Sequence, residues 1–186
     1  VRGFVERVAL IGAMNSLSQL TLKAMMPGVP DFYQGTELWD FSMVDPDNRR
    51  PVDFGARAAA LAAEQPDWTA LKENWRDGRV KLAWTRRLLK LRAELPAVFE
   101  KGSYLPLAAR VIAFARIHGG DAVVVAAARW LAPLSDAGRR WPTGAEFDGA
   151  IALPGLSLAV PAAEDALPLA MAFAELPVFV ARARAT

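Results

Sequence analysis

The residues most able to do chemistry lie between Pro27 and Phe54, in PGVPDFYQGTELWDFSMVDPDNRRPVDF. The carboxylates Asp31, Glu37, Asp40, Asp45, Asp47 and Asp53 alternate there with the rings of Phe32, Tyr33, Trp39 and Phe41. Gln34, Asn48 and the adjacent Arg49 and Arg50 complete the set. A solvated loop has no use for so many rings, and a core segment tolerates such carboxylates only when they are paired or hydrogen-bonded. Together the types suit a concave polar surface with aromatic walls. A sugar needs such a surface: its flat C–H faces stack on rings and its hydroxyls share hydrogen bonds with carboxylates, amides and guanidinium groups. Spacing alone leaves other uses open. Asp45-Pro46-Asp47-Asn48 is also a natural turn, with its carboxylates as caps. Closely spaced Asp side chains could hold calcium, but the order of an EF-hand loop and its turn glycine are missing. Arg49-Arg50 could take a phosphate, or one Arg could pair with a neighbouring carboxylate and hold the loop.

Other candidates carry less. His118 is the single histidine and falls in a turn pattern, where a solvated role is expected. With no cysteine and one histidine, disulfides, thiolate chemistry and a His-rich metal site are excluded, and no metal or cofactor is expected. Trp68, Trp75, Trp84, Trp130 and Trp141 read as core more readily than as ligand platforms. The 22 basic and 20 acidic side chains alternate in sign without a basic block, so neither nucleic acid nor a membrane is an expected partner. A cysteine-free chain fits a reducing, cytoplasmic compartment.

These residues need elements to position them. At 53% hydrophobic the chain can bury a sizeable core. VRGFVERVALIGAMNSLSQLTLKAMMPG predicts a helix with Phe4, Val8, Ile11, Leu17, Leu20 and Leu22 near helical spacing, stopped by Pro27-Gly28; it reads as a chain that starts inside a larger protein. Gly28 to Tyr33 predicts a buried strand feeding the polar-aromatic loop. An Ala-rich helix follows to about Pro66, then a short helix capped by Asp67. DGRVKLAWTRRLLKLRAELP predicts the clearest helix, with Val80, Trp84, Leu88, Leu91 and Leu95 on one face and Pro96 as its stop. From about Phe99, the segments SYLPL, RVIAFARIH, DAVVVAAARW, EFDGAIALPG, PLAMAFA and LPVFVARAR predict an antiparallel sheet or sandwich, with a hairpin at His118-Gly119-Gly120-Asp121.

The loop resembles the segment around the eighth barrel strand of maltooligosyltrehalose synthases, which are members of the α-amylase superfamily (glycoside hydrolase family 13). Pro30, Phe32, Tyr33, Gly35 and Glu37 match the wider amylase pattern, while ELWDFS and VDPDNRRPVDF match the synthase extension. NSLSQLTLKAM before the loop and WRDGRVKLAWTRRLLKLR after it match as well; the likeness is strong over residues 3 to 100 and looser beyond. The resemblance implies an α+β chain. Residues 1–98 would be the last helix–strand–helix elements of a (β/α)₈ barrel, and 99–186 a C-terminal antiparallel β-sandwich domain. In such a barrel the loops after the strands build the active site. Tyr33, Gln34, Glu37, Trp39, Asp45, Asp47, Asn48, Arg49 and Arg50 are then the expected malto-oligosaccharide contacts. The implied parent reaction converts the reducing-end α-1,4 linkage to α,α-1,1. The three catalytic carboxylates of the superfamily follow strands four, five and seven; no residue here matches them, and none is assigned. A related glucanotransferase or glucosidase, or a stand-alone glycan-binding module using Trp130 and Trp141, is the alternative. Apolar faces left uncovered would favour self-association of the isolated chain.

Overall fold

The computed structural model describes residues 1–43, 45, 49–62, 66–158 and 165–186. It is an α+β fold with an antiparallel sheet. Two compact units form: Val1–Gly28 with Leu88–Thr186, and Val29–Arg87. The opening helix groups with the β-rich part of the chain in the first of these.

In the larger unit, helix α1 (Arg2–Met25) buries Leu10, Ala13, Met14, Leu17, Leu20, Ala24 and Met25. Leu17 and Leu20 of the expected face belong to this stripe and Ile11 and Leu22 are half-buried, whereas Phe4 and Val8 are exposed. Ser18 donates its buried hydroxyl to the Ala128 carbonyl at 3.0 Å, and Arg92 donates to the Ala24 carbonyl at 2.6 Å. Both bonds satisfy carbonyls that would otherwise lack partners.

The sheet is built from β1 (Ser103–Pro106), β2 (Ile112–His118), β3 (Asp121–Ala127), β5 (Leu156–Leu158) and β7 (Val178–Ala185), in the order β1-β2-β3-β7-β5. Every pairing is antiparallel. The continuous apolar run Ala122 to Ala127 makes β3 the central strand, buried on both faces. His118 pairs with Asp121 across the Gly119-Gly120 turn, as the hairpin pattern predicts. A separate ribbon pairs β4 (Ala150–Ala152) with β6 (Ala166–Pro168). The expected sandwich is therefore a five-stranded sheet and a two-stranded ribbon. PLAMAFA is a strand only at its start, since α7 (Leu169–Ala172) follows at once and buries Leu169 and Ala172. Phe173 packs on Phe147 beside it, with centroids 4.7 Å apart.

Helix α5 (Pro96–Glu100) opens on the proline expected to stop the preceding helix, since Pro at the first helical position has no amide to lose. Beside it lies the buried Arg116, whose guanidinium donates to the Phe99 and Gly102 carbonyls at 3.1 and 2.9 Å. Burial and the neighbouring charge of Arg92 both push the Arg116 pKa down.

A capping box closes the short 3-10 turn Gly144–Glu146. The Arg140 guanidinium, together with the Thr143 hydroxyl and amide, holds the Glu146 carboxyl at about 2, below the usual 4.5. A depressed carboxyl pKa gives stability that is present above the unfolded value and lost as pH falls through the folded one. The turn is therefore expected to loosen between pH 4.5 and about 2, read from the Thr143 amide shift in an acid titration. A shift that stays flat across that window would contradict the capping role.

The smaller unit holds α2 (Phe54–Leu61), α3 (Trp68–Glu73) and the start of α4 (Arg79–Glu94). The carboxylates of Asp53 and Asp67 accept from the Ala56 and Ala70 amides at 2.9 and 3.0 Å, so each caps its helix as the sequence predicts for Asp67. On α4, Val80, Trp84, Leu88 and Leu91 are buried. Trp84 meets Trp68 edge to face at 5.9 Å within this unit. The strand expected over Gly28 to Tyr33 is not formed. A barrel strand is held by parallel neighbours on both sides, and among the described residues every strand pair is antiparallel.

Candidate functional site

Among the described residues, the loop is tied down largely by side chains that the sequence did not single out. Gln34 and Tyr33 are exposed at its start, where the Tyr33 carbonyl accepts from the Thr36 hydroxyl at 2.7 Å. Arg57, at the end of the first turn of α2, then reaches three points of the loop. Its Nε donates to Glu37 at 3.1 Å, and its two terminal nitrogens donate to the Asp53 and Gly35 carbonyls at 3.0 and 2.8 Å. Glu37 and Arg57 are mostly shielded, so this pair ties both ends of the loop together in a low-dielectric setting. Glu37 is thus placed as a positioning group, with its carboxylate already engaged.

Trp39 is fixed from the other side. Its indole Nε1 donates to the Trp75 carbonyl at 2.6 Å. Lys81 lies over its ring at 5.5 Å and donates to the Leu38 carbonyl at 3.2 Å. Gly78, buried at φ 80, allows this approach: a Cβ there would sit 2.9 Å from the Trp39 amide nitrogen. A half-buried ring locked by hydrogen bond and cation can present a face without rotating.

Beyond Trp39, the residues Asp40, Phe41, Met43, Asp45, Arg49 and Arg50 are exposed. Asp40 accepts from the Ser42 hydroxyl and amide at 2.6 and 2.9 Å, and these bonds lower its pKa. Arg49 and Asp45 form a bidentate pair, at 2.5 and 3.1 Å, supplying the expected Arg–carboxylate contact. Arg50 lies close enough to Asp40 for its charge to act on that carboxyl. Asp47 and Asn48 lie outside the described residues.

The structure thus brings Glu37, Trp39, Asp45 and Arg49 into ordered local contacts and leaves Tyr33 and Gln34 exposed at the loop entrance. Arg57, Lys81 and Gly78 are the additions. Only one weak signal marked Arg57 in the sequence: it is the lone charge inside an Ala-rich helix, four residues after the cap. A separate cleft of about 280 Å³ lies between α2, α3 and α4, lined by Leu61, Pro66, Asp67, Leu71, Arg79 and Arg86 among others. None of those residues was expected in the site. The chemistry available at the loop is stacking, charge-assisted hydrogen bonding and positioning.

No protein-family model matches the chain. A Mycobacterium tuberculosis protein named as a maltooligosyl trehalose synthase is 37% identical over 192 residues, which is 93% of this chain and 22% of that protein. The solved maltooligosyltrehalose synthase from Arthrobacter ramosus covers the whole chain at 32% identity with a TM-score of 0.68. A mutant of that enzyme gives 33% and 0.70, and in both cases 24% of the solved chain is matched. This chain is therefore similar along nearly its whole length to the C-terminal part of maltooligosyltrehalose synthases, and it spans less than a quarter of the length of these three relatives.

Proposed function

We propose that this chain is the C-terminal portion of a maltooligosyltrehalose synthase of glycoside hydrolase family 13, an isomerase of the (1→4)-α-D-glucan 1-α-D-glucosylmutase type. Residues 1–98 supply the end of its (β/α)₈ barrel and 99–186 its C-terminal β-domain. The observation that carries the reading is the loop of residues 33–57, whose synthase-like sequence is cross-tied by Arg57 and Lys81 around Trp39. Its substrate is a malto-oligosaccharide; the chain works in the cytoplasm, without a cofactor.

The reaction moves the reducing-end glucosyl linkage from α-1,4 to α,α-1,1. Retention requires a carboxylate nucleophile and a carboxylic acid about 5–5.5 Å apart, and the freed glucose must turn in place while water is kept out. Four carboxylates of the loop are engaged in other tasks. Glu37 positions Arg57, Asp40 closes a turn, Asp45 holds Arg49, and Asp53 caps α2. Because no residue here matches the three catalytic carboxylates that the resemblance implies, we assign the nucleophile and acid to parts of the parent outside these 186 residues. Trp39 supplies a stacking face, while Tyr33, Gln34, Asp47, Asn48, Arg49 and Arg50 supply hydroxyl contacts. Phe4, Val5 and Val8 are exposed on α1 and favour self-association of the isolated chain.

The chain alone is expected to convert no glucan, because covalent and electrostatic catalysis both need groups held in register. The check is to incubate it with maltohexaose and look for non-reducing trehalosyl ends. Turnover that persists in preparations freed of host enzyme would contradict this reading.

A further inference from the structure

We propose that Trp130, at the end of the central sheet strand, is a preorganised platform that takes the flat C–H face of one glucose unit of an α-1,4-glucan. The class of sugar rests on the function proposed above; the site rests on three observations of its own. The first is exposure: Trp130 is 77% exposed, whereas the other five tryptophans are buried or half-buried. The second is its backbone, at φ 57 and ψ 44 in the left-handed region. A bulky L residue is strained there and persists only where its surroundings over-determine it. Glycine or asparagine would serve a mere turn without that strain.

The third observation is what holds the strain. On one side the Ala128 amide donates to the Pro177 carbonyl at 2.9 Å, and the Ala128 carbonyl accepts from Ser18 at 3.0 Å. On the other, the buried Leu131 opens α6 (Leu131–Leu134). Ala128 and Leu131 are thus fixed points, and the exposed pair Arg129-Trp130 projects between them. A ring presented this way loses little freedom on binding. Its electron-rich face suits the polarised axial C–H groups of a pyranose. The Arg129 guanidinium, on the adjacent exposed residue, offers donors for the sugar hydroxyls.

The test follows the indole N–H resonances of the ¹⁵N-labelled chain during titration with maltoheptaose. The Trp130 resonance is assigned by its loss in Trp130→Gly, a variant that relieves the left-handed strain while removing the ring. The expected result is a saturating shift of that resonance in the parent chain. Trp130→Gly, with an unchanged circular dichroism spectrum, should bind about tenfold more weakly, and Trp130→Phe should stay within about threefold of the parent. A Trp130 resonance unmoved at the solubility limits of both maltoheptaose and cellohexaose overturns the proposal, as does a Gly variant that binds like the parent. Failure of the proposed function has a different signature: the resonance responds to cellohexaose and not to maltoheptaose, which overturns the α-glucan assignment while leaving a glycan contact at the ring.

Discussion

Leu88→Ala is expected to destabilise the chain by about 2–5 kcal/mol, the range for truncating a leucine in a core that only partly collapses. Leu88 has 0% exposure and sits on the buried stripe of α4 between Trp84 and Leu91, so its loss leaves a cavity with no water to fill it. The midpoint of urea unfolding should fall while the slope stays unchanged. The neighbouring Leu89 is exposed and provides the control: Leu89→Ala should stay within about 0.5 kcal/mol of the parent. A loss below about 0.5 kcal/mol at Leu88 would show that the stripe does not carry the core.

Gly138→Ala should be destabilising by more than about 2 kcal/mol, for two reasons that add. Gly138 has φ 82, and the left-handed region alone costs an L residue about 1–2 kcal/mol. A Cβ there would also lie 2.4 Å from the Arg7 carbonyl oxygen, a backbone atom of α1 that cannot swing aside. Gly12 gives the opposite expectation. It lies inside α1 with nothing within 4 Å of its Cβ position, so Gly12→Ala should stabilise by about 0.5–1 kcal/mol. The pair separates local strain from a general sensitivity of glycines to replacement. Equal melting temperatures for the two variants would refute the contact between Gly138 and α1.

How far the sequence reveals this molecule follows from the range of the forces involved. The α4 stripe and the His118-Asp121 hairpin depend on local periodicity and turn chemistry, and both are legible. The face that α1 buries is decided by β3 and α6, more than a hundred residues away, so Phe4 and Val8 could pass for core although they are exposed. Residues 28 to 33 have strand-like composition, but composition cannot supply the neighbours that a ladder requires. In the loop, the Asp45–Arg49 pair follows from an i, i+4 spacing. The ties from Arg57 and Lys81 span 20 and 43 residues, and no local pattern announces them.

The central claim is that this chain belongs functionally with an enzyme that relocates a glucosyl bond rather than hydrolysing it. The most direct measurement is product analysis after the protein encoded by the full reading frame has acted on maltohexaose. Reducing ends should disappear without a matching release of glucose, and the anomeric proton spectrum should show an α,α-1,1 linkage. Release of glucose or maltose with reducing ends conserved or increased, or the appearance of longer α-1,4 chains, would contradict the account and favour a glucosidase or a glucanotransferase.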